Sequence, residues 1–150
     1  MPPTELLTDH LSIGELSSLT GLSIHTLRYY EKIGLIEPVP RLSSGHRQYN
    51  RNTVQRAEAL GYLRATGLGV EDMRSYLRNV DRGDVAAGDV ADLLSRHAQT
   101  IAAQIKHLEV RRAYIEAKAA YWHAVADGLG DSDEAQRSLQ RARDLSGELK

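Results

Sequence analysis

The sequence predicts a mainly α-helical chain. Two short capped helices come first, then a two-stranded wing, two further helices, one long helix with a heptad seam and a short terminal helix. Three observations lead there. Proline stops at Pro40, and the chain beyond it is rich in Ala, Leu, Arg, Glu and Gln, all compatible with helix. Serine N-cap signals at Ser12 and Ser23 are answered by glycine stops at Gly21 and Gly34. Bulky apolar residues recur at a spacing of seven from Leu94 to Trp122.

Residues 1–10 read as a flexible tail. In the first helix, Ser12 and Glu15 form an S-x-x-E capping box, with Leu11 and Leu16 as the hydrophobic staple around it. The second helix starts at once, with Ser23 as N-cap and Leu22 and Leu27 as its staple. Two capped helices joined by a minimal turn make a helix-turn-helix pattern, which any small helical hairpin shares. In "IEPVPRLSSGHRQY" the prolines disfavour helix and tolerate an edge strand. Ser43-Ser44-Gly45 turns the chain, and His46 to Tyr49 returns as the second strand of a wing. A third helix spans about Arg51 to Thr66, turning Val54, Ala57, Leu60 and Leu63 inward, and a fourth spans about Val70 to Val80, burying Met73 and Leu77.

Residues 81–88, "DRGDVAAG", read as a hinge before a long helix over 89–126. Along that helix Leu94, Ile101, Leu108, Ile115 and Trp122 fall on one seam, with Ala98, Ile105, Arg112, Ala119 and Ala126 four positions later. This is coiled-coil patterning. The rod is roughly 55 Å long at 1.5 Å per residue, too long for the front half of the chain to cover. Leu94, Ile101, Ile105, Leu108, Ile115 and Trp122 are therefore the expected dimer interface. Residues 127–150 form a short tail in which Ser132 caps a charged helix to about Leu145.

The formal net charge is -1, but it is uneven. Leu11–Val80 holds nine Lys and Arg against six Asp and Glu, and the rest of the chain is net acidic. That asymmetry points a polyanion at the front half. The chain has no cysteine, which excludes disulfides, zinc-thiolate sites, iron-sulfur clusters and cysteine nucleophiles. No signal-peptide pattern opens the chain, and no apolar run approaches the ~20 residues of a membrane helix, so a cytoplasmic protein with no membrane partner is expected.

On a helical wheel at ~100° per residue, His25, Arg28, Tyr29 and Lys32 share one face of the second helix, and Leu27 and Tyr30 lie opposite. The apolar face suits packing on the first helix. The polar face suits a major groove, where Arg binds guanine edges or phosphate and Tyr binds phosphate or sugar. Arg41, His46 and Arg47 add cations to the wing. Tyr49 alternates in step with Arg47, and Arg64 stands near the Gly67 turn. Any one of these is equally well a solvated surface group; together around a helix-turn-helix they fit a duplex tracked along its backbone.

Residues 12–79 resemble the MerR-type winged helix-turn-helix transcription regulators. The likeness rests on "SIGELSSLTGLSIHTLRYYEKIGLI", on Pro38, Arg41, Gly45, Arg47 and Tyr49, and on "LRATGLGVEDM" at 63–73. It implies a DNA-binding domain over 11–80 and a homodimer joined by an antiparallel coiled coil. It further implies a near-palindromic operator in an overlong promoter spacer, which the protein bends and untwists so that RNA polymerase engages both promoter elements. By position, Arg28 and Tyr29 would be recognition-helix contacts, Arg47 and Tyr49 wing contacts and Arg64 a phosphate contact; His25 and Lys32 come from the wheel alone. A simple repressor, or an architectural DNA-bending protein, would use the same residues.

Residues 93–122 look like the aldehyde- and electrophile-stress branch, without the cysteine that branch often carries. Metal-sensing members use cysteines that this chain lacks. The histidines His97, His107 and His123 stand ten and sixteen apart, so no i, i+4 chelate forms and no metal or cofactor is expected. A small-molecule effector is left unidentified. Tyr114, Tyr121 and Trp122 are the candidates for an apolar effector pocket, with plain packing at the end of the coil as the competing reading. No phosphate loop, nucleophile motif or metal triad suggests an enzyme.

Overall fold

The computed structural model describes residues 10–39, 41, 43–44 and 48–150. Strand β1 (His10–Leu11) leads into α1 (Ile13–Thr20) and α2 (Ile24–Lys32). Strand β2 (Tyr49–Asn50) precedes α3 (Arg51–Ala65) and α4 (Val70–Asp81). A 3-10 turn (Gly83–Ala86) runs into the long α5 (Ala87–Ala126), and α6 (Asp133–Ser146) comes last. The chain divides into two compact units, Met1–Leu93 and Leu94–Lys150.

Local chemistry accounts for the helix ends. The Ser12 hydroxyl accepts the Glu15 N–H at 3.2 Å, and the Glu15 carboxylate accepts the Ser12 N–H at 2.7 Å, closing the capping box. Gly21 then ends α1 at a φ of 70°, a left-handed conformation that costs glycine nothing. Its N–H returns to the Ser17 carbonyl. Asn50 caps α3 through its side chain, which accepts from the Thr53 N–H at 2.9 Å.

The capping box titrates. Hydrogen bonds from the Ser12 backbone, and then from its side chain, hold the Glu15 carboxyl below the ordinary glutamate range. A depressed folded-state value means the contribution to stability is whole above the unfolded glutamate value, about 4.3, and is lost as pH falls through the folded value. The urea midpoint gap between wild type and Glu15→Gln should therefore close on acidification from pH 6 to pH 3. A gap that stays constant would remove the ionised cap from the account.

The first unit is organised around Leu16, Leu22, Leu27, Tyr30, Leu35, Ile36, Tyr49, Val54, Ala57, Leu60, Met73 and Leu77, all buried in one cluster. Each buried Leu, Ile, Val or Met side chain among them contributes roughly 1.5–3 kcal/mol of burial free energy. Both staples hold: Leu11 and Leu16 are buried, as are Leu22 and Leu27. Of the four residues expected to turn inward on α3, Val54, Ala57 and Leu60 are buried, and Leu63 packs at the edge of the cluster.

Gly61 lets α3 approach α1. A Cβ built there would stand 2.5 Å from the Thr20 carbonyl oxygen. A backbone carbonyl cannot rotate away as a flexible side chain would, so the helices must move apart. Overpacking of this kind costs roughly 1–3 kcal/mol, against about 1 kcal/mol that alanine gains in helix propensity. Gly61→Ala should lower the unfolding temperature by several degrees, measured by circular dichroism. An unchanged or higher temperature would contradict the close approach.

Tyr49–Asn50 pairs antiparallel with His10–Leu11, matching Leu11 with Tyr49. The strand pairing therefore draws in the end of the stretch read as a tail. Arg41 sits at an isolated β-bridge. Gly45, His46 and Arg47 lie outside the described residues, so the expected second strand is described only at its end.

In the second unit, Ala117 of α5 and Ala135 and Ala142 of α6 are buried. The Ser132 hydroxyl caps α6 by accepting the Ala135 N–H at 3.2 Å.

Candidate nucleic-acid interface

The site is built on α2. Ser23 is its N-cap, accepting the Thr26 N–H at 3.0 Å. Leu27 and Tyr30 are buried beneath it. At its far end Gly34 takes a φ of 79°, and the Leu35 and Ile36 N–H groups both return to the Tyr30 carbonyl, at 2.9 and 3.2 Å. With one face sunk in the core and both ends closed, the opposite face is fixed. It presents His25, Arg28, Tyr29 and Lys32, all exposed. Tyr29 leans on Tyr30 with ring centroids 6.0 Å apart, so an exposed ring stands beside a buried one.

Three side-chain bonds hold α2 in place. Near its start, the Arg64 Nη1 donates to the Thr26 Oγ1 at 3.2 Å. At its end, the Arg74 Nη1 donates to the Ile33 carbonyl at 2.9 Å. Between them, the Tyr49 hydroxyl donates to the Glu31 Oε2 at 3.4 Å. Burial pushes the Tyr30 phenol above its ordinary value, and the nearby Arg64 guanidinium opposes the shift. Arg64 thus lies beside α2 although 38 residues separate it from Thr26.

The structure brings together four expected residues on one helix face and Arg64 next to it. Arg41 is exposed on the wing segment. Arg47 lies outside the described residues. Tyr49 requires a correction: the residue is 1% exposed, so the ring is core and its hydroxyl tethers Glu31. It is not a surface contact.

Arg74 and the Arg56–Asp81 pair carry no signal in the sequence. Arg56 donates twice to the Asp81 carboxylate, at 2.6 and 3.3 Å, joining α3 to α4. Both arginines sit on helices at positions that read as ordinary surface. Their partners lie 25 and 41 residues away, so no local pattern marks them.

On α5 the seam residues Leu94, Ile105, Leu108, Ile115 and Trp122 are exposed, and Ile101 is half-buried. Leu108 and Ile115 stand 59% and 63% open, far more than such side chains tolerate in one continuous row without a partner. Tyr114 and Tyr121 are half-buried on the face that carries buried Ala117, while exposed Trp122 meets Tyr121 edge-on at 5.3 Å. Among the described residues, no three His, Asp or Glu side chains gather into a metal-binding group.

The chain matches the profile of the MerR family regulatory proteins over residues 12–49. It is 38% identical over 103 residues to the HTH-type transcriptional regulator HmrR of Rhizobium leguminosarum bv. viciae, spanning 68% of this chain and 79% of that protein. It is 36% identical over 93 residues to the nodulation protein NolA of Bradyrhizobium sp. (strain NC92). That match spans 62% of this chain and only 36% of the longer NolA. Its structure is similar to that of HiNmlR, a MerR family regulator lacking the sensor domain, bound to promoter DNA. The TM-score is 0.65 at 25% identity, over 82% of this chain and 94% of that one.

Proposed function

The chain belongs to the MerR family of transcription regulators, and on that premise we propose that it binds duplex DNA as a homodimer, each copy laying α2 in a major groove of one half of a near-palindromic operator. The observation that carries this reading is the exposed quartet on α2. His25, Arg28, Tyr29 and Lys32 face outward from a helix whose other face is core. Arg28 reads a guanine edge or a phosphate, Tyr29 a phosphate or sugar, and Lys32 neutralises the backbone. Arg64 adds a phosphate contact at the edge of the helix, and Arg41 and Arg47 extend the contact along the wing. The second copy covers the open seam of α5, with the two helices antiparallel.

The operator lies in a promoter spacer that is too long, and the dimer bends and untwists it so that RNA polymerase reaches both promoter elements. Part of the sequence preference then comes from how readily the central base pairs deform. RNA polymerase is met at the promoter and not by a dedicated surface. Among the described residues no helix is long and apolar enough to cross a membrane.

Footprinting of the DNA upstream of its own reading frame, at two salt concentrations and paired with in vitro transcription, tests the reading. Protection between the -35 and -10 elements with increased transcript is expected. Protection accompanied only by decreased transcript would replace realignment by repression. Absence of any salt-resistant protection there would remove this operator placement.

A further inference from the structure

The Arg64–Thr26 bond links the end of α3 to the start of α2. Thr26 is itself held: the Ser23 hydroxyl donates to its Oγ1 at 2.9 Å and accepts its N–H at 3.0 Å. Threonine is stiff at χ1, and these bonds fix where the oxygen lies. Arg64 reaches that oxygen through one N–H, at 3.2 Å, out of the five that a guanidinium offers. Its side chain remains exposed, with other donors available.

We propose that Thr26 is a positioning residue for DNA binding. Its hydroxyl holds the Arg64 guanidinium against the start of α2, so that the helix and this cation meet the DNA backbone as one unit. A free arginine gives up several rotatable bonds when it docks on a phosphate. Arg64 gives up fewer, because Thr26 has already ordered it. Thr26 needs no contact with DNA in this role. The inference rests on the reading of Arg64 as a phosphate contact.

The test is a double-mutant cycle in the full chain. The probe is a 30-base-pair duplex chosen by the wild-type protein from a random pool. Thr26→Val keeps the branched shape and removes the oxygen. It should weaken binding about fivefold, and Arg64→Ala about twentyfold. The double variant should be no weaker than Arg64→Ala to within about twofold. Thr26→Ser restores the hydroxyl and should restore affinity. Thermal unfolding of Thr26→Val should stay within a few degrees of wild type. If the two losses multiply, or serine fails to rescue, Thr26 does not act through Arg64 and the proposal is overturned. If the wild-type chain selects no duplex, the DNA-binding reading falls and takes this inference with it.

Discussion

Arg28→Ala is expected to weaken operator binding by one to two orders of magnitude while the fold stays intact. Arg28 is exposed on α2 between the buried turns at Leu27 and Tyr30, so its truncation removes no core contact. A bidentate arginine–guanine contact is worth about 1–3 kcal/mol of discrimination, a factor of roughly 5 to 150. The same loss across all sequences would instead mark Arg28 as a phosphate contact, with the salt slope falling by about 1. Fluorescence anisotropy on matched and mismatched duplexes separates these outcomes. Affinity unchanged on every duplex would remove α2 as the recognition helix.

Leu108→Asp should have the larger effect on assembly. Leu108 is 59% exposed in the single chain, so the change leaves the protomer folded. In a pair it would bury two carboxylates in an apolar seam, at several kcal/mol each unless they are paired. Dimerisation should weaken by roughly a thousandfold or more, and operator binding should collapse with it, because half-sites are then bound one at a time. Sedimentation equilibrium should show monomer at concentrations where wild type is dimeric. A dimer of unchanged affinity would mean that the Leu94–Trp122 seam is not the interface.

What the sequence made legible was local or periodic. Ser12, Glu15, Gly21 and Ser23 announce the first two helices because capping acts over three or four residues. The outward face of α2 comes from its period alone, since Leu27 and Tyr30 mark the side that is buried. The open row on α5 comes in the same way from its spacing of seven. What was illegible depended on distant partners. Alternation alone does not say whether Tyr49 faces the core or the solvent. Leu11 opposite Tyr49 decides that, from 38 residues away. Gly61 reads as a weak point in a helix unless Thr20 is known to lie against it. The clamps on α2 from Arg64 and Arg74 also come from other helices. So the outward face of α2 was readable, while the bonds that hold that helix in place were not.

The central claim is that two copies place two α2 helices in the same duplex. Hydroxyl-radical footprinting on a duplex selected by the wild-type protein, with the mass of the complex measured in the same solution, tests it most directly. The account predicts two chains per duplex and two symmetric protected patches, separated by about one helical turn or a multiple of it. One chain per duplex with a single patch, or no protection at all, would contradict it.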